Sequence, residues 1–175
     1  MSYVFNRSFP NTRLRRLRYN DNVRAMVQEV SLAPKHLIAP VFVMEGNHQR
    51  QAIPSMPGVE RLSIDLIVDY AKQLLDVGVT TIDLFPVVEA ADKSPLAEAA
   101  YAEGNLVSRT IEALKRDVPE MVVMTDVALD PYTTHGQDGI LDDSGYVVND
   151  PTVEILIKQT LNHARAGVDI ISPSD

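Results

Sequence analysis

The stretch that decides the fold is MVVMTDVALDPYTTHGQDG, residues 121–139. Its apolar, β-branched start predicts a strand over 121–129 that is buried on both faces. The strand leads directly into Asp126, Asp130, Asp138 and His135, with several turn-forming residues between them. An apolar strand followed by acids and glycines is typical of a strand that delivers side chains to a working surface. The alternative is a solvated loop that is acidic without a function.

The composition excludes several kinds of site and location. The chain has 175 residues, of which 45% are apolar and 23% are charged, as in an ordinary globular domain. It contains no cysteine, which excludes disulfides, a thiol nucleophile and thiolate-bound zinc. No stretch approaches the roughly 20 apolar residues that span a bilayer, and the N-terminus lacks the apolar segment of a secretory signal. We therefore expect no membrane association and a cytoplasmic location.

Charge is distributed unevenly along the chain. The net charge is −8, yet residues 1–24 hold one acid, Asp21, and six arginines: Arg7, Arg13, Arg15, Arg16, Arg18 and Arg24. A basic segment of this kind can bind nucleic acid, or it can lie across the acidic body of a neighbouring copy. No basic, aromatic stripe follows it, which favours the second interpretation. We predict that residues 1–34 form an arm that makes homo-oligomer contacts, and we expect no nucleic-acid partner.

Hydrophobic periodicity predicts four strands that alternate with three helices. The strands are expected over 35–43, 79–88, 121–129 and 168–175. The helices are expected from Ser63 to Gly78, over 105–118, and from Asp150-Pro151 to Gly167, and the two glycines end their helices. The segment 56–63 is interpreted as a loop. The third helix is expected to bury its most apolar side, which consists of Val153, Leu156, Ile157, Thr160, Leu161 and Ala164.

This alternation predicts an α/β fold with a parallel sheet and right-handed crossovers. Gly78-Val79 and Gly167-Val168 each begin a strand that ends at a proline, and such equivalent units build a (β/α)₈ barrel. A four-stranded doubly wound sheet is the alternative, although the first βα turn lacks its Gly-rich fingerprint. The last strand has no helix after it. We therefore expect residues 35–175 to be the first half of a barrel, with the first and fourth strands as edges.

The C-terminal ends of barrel strands form the active face. Asp126 and Asp130 follow the third strand, and Ser174 and Asp175 follow the fourth. Carboxylates and a hydroxyl at one mouth suit proton transfer and carbonyl or amine chemistry. In the alternative interpretation, Asp126 and Asp130 only cap turns.

Most of the chain, from about Arg13 to Asp175, resembles porphobilinogen synthase, the 5-aminolevulinate dehydratase family. The resemblance implies a lyase that condenses two molecules of 5-aminolevulinate to porphobilinogen with loss of water. It also implies a (β/α)₈ barrel whose N-terminal arm embraces a partner, usually in an octamer. The most specific motif is DVALDPYTTHGQDG, 126–139. The matching stretches, in chain order, are LIAPVFV (37–43), MPGVERLS (56–63), DLFPVV (83–88), NLVSRTIEALKRDVPE (105–120), the segment 125–150 and AGVDIISPSD (166–175).

The resemblance also implies roles for individual residues. Asp126 would line the substrate site and assist proton movement, and Ser174 with Asp175 would contact the bound substrate. The family's two imine-forming lysines lie on later strands than those present here. Lys93, in the loop after the second strand, could reach the mouth, but we interpret it as solvated. The other lysines are Lys35, Lys72, Lys115 and Lys158. We therefore expect the 175-residue chain to be inactive alone.

The metal preference is expected to follow from the missing cysteines. Zinc-dependent members carry three cysteines at the positions of Ala128, Asp130 and Asp138. Carboxylates prefer Mg²⁺, so we expect the magnesium-responsive branch and no three-cysteine zinc site. The resemblance implies an allosteric Mg²⁺ whose principal ligand comes from sequence beyond residue 175. Asp130 and Asp138 either bind a metal or hold the substrate or the loop, and both possibilities remain open at this point.

Two other functional interpretations are carried alongside this one. The chain could be a non-catalytic assembly fragment, or part of another lysine- or metal-dependent barrel lyase such as an aldolase. His135 is interpreted as a residue that holds its loop, whereas His36, His48 and His163 are interpreted as surface residues. The hairpin that carries Tyr146 is expected to cover the mouth as a lid or to contact another subunit.

Overall fold

A computed structural model describes residues 8–175 and divides the chain into two units at Ala33 and Pro34. In the first unit, a 3₁₀ turn over Arg16–Arg18 precedes a short helix, α1 (Asp21–Met26). The Asn20 side chain caps α1 by accepting a hydrogen bond of 2.9 Å from the backbone N–H of Val23. The first seven residues of the predicted arm lie outside the described residues, and its role in assembly stays a prediction.

The second unit is built on one sheet of six strands. The strands are β1 (Ile38–Met44), β2 (Arg50–Ala52), β3 (Glu60–Ser63), β4 (Thr81–Pro86), β5 (Val122–Val127) and β6 (Ile170–Pro173), in the spatial order β2-β3-β1-β4-β5-β6. All neighbouring pairs are parallel except β2 with β3. The helices α2 (Ile64–Asp76), α3 (Leu106–Asp117) and α4 (Asn149–Ala166) connect the strands. This is the predicted alternation of strands and helices.

The two glycines predicted to end helices do so. Gly78 and Gly167 follow α2 and α4 in the left-handed conformation, at φ +84° and +97°, where a side chain would be strained. No helix within residues 8–175 combines the length and the apolar character that crossing a membrane requires.

The interpretation of residues 56–63 as a loop was wrong. Glu60–Ser63 form β3, which lies parallel to β1 and pairs Arg61 with Phe42 and Ser63 with Met44. The first barrel strand is therefore not an edge of the sheet, whose edges are β2 and β6. The proline and glycine just before β3 dominated the sequence interpretation, although the last two residues of the strand, Leu62 and Ser63, are buried.

The main core lies between the sheet and the helices. Ile82 and Leu84 of β4 and Val123 of β5 are fully buried there, against Ile111 and Leu114 of α3. Because side chains alternate along a strand, the residues between them point to the opposite face of the sheet. That inner face carries Asp83 and Phe85 on β4, and Met124 and Asp126 on β5.

The predicted buried side of α4 was also wrong. Val153, Ile157 and Leu161 are 44%, 53% and 48% exposed, whereas a more polar side is buried: Thr152, Ile155, Gln159, Asn162 and His163. Two of these polar side chains donate to backbone carbonyls: Gln159 Nε2 to Ala128 at 3.2 Å and Asn162 Nδ2 to Ala102 at 3.1 Å. Hydrogen bonding thus lets a polar side face the core.

The start of α4 also differs from the expectation. The helix begins at Asn149, and Val148 occupies the N-cap position without a capping side chain. Asp150 therefore lies inside the first turn rather than at the cap, where its negative charge still favours the N-terminal end of the helix dipole.

His163 is a buried residue, which corrects its interpretation as a surface histidine. Its side chain is fully buried between α4 and β5, and Nδ1 is hydrogen-bonded to the Thr125 hydroxyl at 3.1 Å. Burial disfavours the charged imidazolium and lowers the pKa of His163 to about 4. The ring therefore stays neutral across the physiological range.

We predict that His163→Gln weakens the acid sensitivity of the fold. An unfolded histidine binds a proton below about pH 6.5, whereas folded His163 binds it only near pH 4. Stability is therefore lost as the pH falls from 6.5 to 4, by on the order of 3 kcal/mol. Urea unfolding at both pH values should show this loss reduced in His163→Gln relative to the unsubstituted chain. An equal loss in the two proteins would contradict the prediction.

Candidate active site

A cavity of about 760 Å³ lies at the C-terminal ends of the parallel strands. All five residues that the sequence predicted for the site line it together: Asp126, Asp130, Asp138, Ser174 and Asp175. The aromatic rings of Phe42 and Phe85, with centroids 5.7 Å apart, form part of its wall. The site is thus an acidic mouth with a partly apolar wall.

Asp126 and Ser174 are joined across two strands. The parallel register of β5 and β6 pairs Asp126 with Ser172, and the backbone N–H of Ser174 donates to the Val127 carbonyl at 3.3 Å. The Ser174 hydroxyl then donates to Asp126 Oδ1 at 2.7 Å. A short hydrogen bond to a carboxylate fixes the orientation of that group, so Asp126 is presented to the cavity in a defined position.

Three further carboxylates approach one another on the cavity wall. Asp130, Asp138 and Asp175 each offer an oxygen within 4.8 Å of the others, and Asp175 Oδ2 also accepts the Leu129 backbone N–H at 2.6 Å. Burial and then the neighbouring aspartates raise the pKa of Asp175 to about 6, and the same two causes raise that of Asp130.

These three residues fit a divalent cation. A cation bound between them would offset the mutual repulsion of the carboxylates, and a set of oxygen donors suits Mg²⁺. The sequence interpretation included Asp130 and Asp138 as candidate ligands, and the structure adds Asp175 to them.

Lys93 lies at the cavity, which corrects its interpretation as a solvated loop residue. It is half-buried and lines the same cavity as the aspartates, where its charge opposes the rise in the pKa of Asp130. The loop after β4 is held to the loop after β5 through Ser94, whose N–H donates to the Tyr132 carbonyl at 3.1 Å and whose carbonyl accepts the Thr134 N–H at 3.2 Å. Such long-range pairing of two loops leaves no local signal in the sequence.

The loop after β5 is held by its own side chains. His135 Nδ1 accepts the Gln137 N–H at 3.2 Å, which confirms that His135 holds its loop. The Thr133 hydroxyl lies 3.1 Å from the Gln137 carbonyl and donates to it. A side chain at Gly139 would meet Thr152 at 2.6 Å, so only glycine fits this approach of the loop to α4. Tyr146 is 70% exposed, and its role as a lid or subunit contact stays a prediction.

The sequence interpretation missed Asp83, which lies on the inner face of β4 below the cavity. Its Oδ1 is shielded from solvent and has no hydrogen-bond partner. Burial, and then the charge of Asp126, raise the pKa of Asp83 to about 6. The available signal was an acid in the middle of the apolar run VTTIDLFPVV, 79–88.

Comparison with known proteins identifies the fold and the family. The family model described as Delta-aminolevulinic acid dehydratase matches residues 11–175. The chain also resembles a solved structure from Toxoplasma gondii, of delta-aminolevulinic acid dehydratase (porphobilinogen synthase) in complex with the reaction product porphobilinogen. The TM-score is 0.90 at 43% identity, over 94% of this chain and 47% of that chain. This likeness confirms the predicted α/β barrel class.

Relatives from distant organisms carry the same name. The Synechocystis delta-aminolevulinic acid dehydratase is 44% identical over 95% of this chain and 51% of its own length. The chloroplastic dehydratase of Chlamydomonas reinhardtii is 41% identical over 94% of this chain and 42% of its own length. The chain thus spans about half the length of the relatives it matches. It belongs to the delta-aminolevulinic acid dehydratase family.

Proposed function

We propose that this chain provides the acidic wall of an active site that condenses two molecules of 5-aminolevulinate to porphobilinogen with loss of water. The proposal rests on one observation. Asp126, Ser174 and Asp175 line the same cavity in a chain of this family. The Toxoplasma gondii relative was solved with porphobilinogen, which supports a small-molecule substrate of this chemical class.

The charges of the cavity suit this substrate. At neutral pH, 5-aminolevulinate carries an ammonium group at one end and a carboxylate at the other. Asp126 lines the cavity and attracts the ammonium group, while Lys93 and Arg61 line it as well and attract the carboxylate. Asp126, oriented by Ser174, accepts or donates the protons that such a condensation and dehydration must move.

A divalent cation, which we take to be Mg²⁺, would be held by Asp130, Asp138 and Asp175. It would supply positive charge that allows the three carboxylates to remain ionised side by side. The oxygen donors and the absence of cysteine support magnesium over zinc of the three-cysteine type. These aspartates would hold the ion and shape the cavity wall, while Asp126 would move protons.

The proposal extends to the oligomeric state of the protein and to its location in the cell. We infer a homo-oligomer, an octamer in the terms of the family resemblance, that forms through the N-terminal arm, residues 1–34. The excess of arginine in residues 1–24 and the acidic remainder of the chain support contacts between copies. We also propose a cytoplasmic protein that binds neither nucleic acid nor membranes.

We predict that the chain forms an active enzyme with the C-terminal half of the Synechocystis relative. The mixture should convert 5-aminolevulinate to porphobilinogen, measured with Ehrlich's reagent. Asp126→Asn should lower turnover by about 10²- to 10³-fold, because it removes a proton-transfer group. The control is Asp76→Asn, an exposed residue at the end of α2. Association without turnover would favour an assembly fragment, and turnover of a sugar phosphate instead would select an aldolase.

The chain alone should form no imine with the substrate. The resemblance places the two imine-forming lysines on later strands, so borohydride added with 5-aminolevulinate should leave the mass of the chain unchanged. Among residues 8–175, Lys93 is the one lysine that lines this cavity, and Lys93→Arg serves as its control. A stable adduct that disappears in Lys93→Arg would overturn this expectation.

Mg²⁺ should stabilise the folded chain through the three clustered carboxylates. At a concentration ten times its dissociation constant, the ion should raise the free energy of unfolding by about 1.4 kcal/mol. Asp138→Asn should abolish this gain in thermal unfolding with and without MgCl₂. Asp143→Asn, an exposed aspartate in the hairpin, should keep it. Equal stabilisation of both variants would place the ion elsewhere.

A further inference from the structure

Asp83 lies on the inner face of the sheet, one layer below the cavity. Its neighbours along β4, Ile82 and Leu84, are fully buried on the helix side, so Asp83 is turned away from the helices. The register of β4 and β5 pairs Asp83 with Met124. Asp126 is the next residue on that face of β5, so the two carboxyl groups are diagonal neighbours on adjacent strands.

No positive charge compensates Asp83. Within residues 8–175 no ion pair involves it, and its Oδ1 has no hydrogen-bond partner. The residues paired with it on the flanking strands, Pro40 and Met124, are uncharged, and the titratable group that faces it is Asp126. Burying an unpaired carboxylate is costly, so this position favours the protonated form.

The two carboxyl groups can take complementary roles in a hydrogen bond. A protonated carboxyl donates a hydrogen bond, whereas an ionised carboxylate only accepts. Asp126 already accepts from the Ser174 hydroxyl at 2.7 Å, and its remaining acceptor sites can serve a second donor. The raised pKa of Asp83, about 6, agrees with a buried acid that keeps its proton beside a neighbouring carboxyl group.

We propose that Asp83 is a positioning residue that acts through Asp126 by holding a proton beneath the cavity. The O–H bond of Asp83 breaks as an O–H bond forms on Asp126, and the negative charge passes to Asp83. Asp126 then gives this proton to the substrate. The next proton that Asp126 takes from the substrate passes to Asp83, which restores the starting state. This inference rests on the role proposed above for Asp126. Other charged groups of the cavity also influence the charge of the Asp83–Asp126 pair. They are Asp130, Asp138, Asp175 and Lys93.

The first test is a titration that does not depend on activity. Carboxyl ¹³C NMR of the 175-residue chain, with Asp83→Asn to assign the signal, should show Asp83 titrating well above the ordinary value of 3.8. Asp126→Asn should lower this midpoint by roughly half a pH unit, because it removes the neighbouring charge. Asp76→Asn should leave it unchanged. An ordinary midpoint, or one that Asp126→Asn does not move, would overturn the proposal.

The second test uses the enzyme reconstituted with the Synechocystis half. Asp83→Asn has the shape of a protonated aspartate but cannot release a proton, so kcat should fall about tenfold while KM changes less than twofold. The dependence of kcat on pH near 6 should also flatten. An unchanged kcat and pH profile would overturn the proposal even though porphobilinogen forms. If the parent mixture forms no porphobilinogen, the proposed function fails, and the titration still decides whether Asp83 and Asp126 share a proton.

Discussion

The parallel register of β4, β5 and β6 is the constraint on which the site depends. It aligns the strand ends, so that Asp126 on β5 and Ser174 after β6 meet within one hydrogen bond of 2.7 Å. Because side chains alternate, the same register sends Leu84 and Val123 into the core and Asp83 and Asp126 to the other face. A shift of one residue would exchange the two sets and bury the aspartates among the helices. Stability and function are therefore set by the same hydrogen bonds.

The clustered acids are unfavourable for the fold. Four aspartates line one cavity, and burial with mutual repulsion raises the pKa of Asp175 to about 6. An acid whose pKa is raised on folding lowers the free energy of unfolding. This loss is complete at pH values above the pKa of the folded state. The raised pKa of Asp83 lowers the free energy of unfolding in the same way. A cation, a bound ammonium group or a retained proton relieves such a cluster. Unfavourable electrostatics of this kind are typical of binding and catalytic sites.

The sequence predicted the parts of the structure that have a local cause. The strands, the helices ended by Gly78 and Gly167, and the gathering of Asp126 with Ser174 all follow from periodicity and strand-end position. Long-range pairing could not be read in this way. β3 forms because its backbone pairs with the edge of β1. Lys93 reaches the cavity because Ser94 pairs with the loop after β5. Asp83 could be seen in the sequence, but its neighbours in the chain are apolar. None of them is a charged or polar group that would suggest a role for it.

The buried side of α4 explains why the most apolar stripe is not always the one that faces the sheet. Gln159 bonds to the carbonyl of Ala128, and His163 bonds to Thr125, so α4 holds β5 on both sides of Asp126. An apolar side would bury more hydrocarbon, but it would leave the Ala128 carbonyl without this donor at the point where the strand ends. The helix thus exposes Val153, Ile157 and Leu161 and fixes the strand end that carries the catalytic candidate.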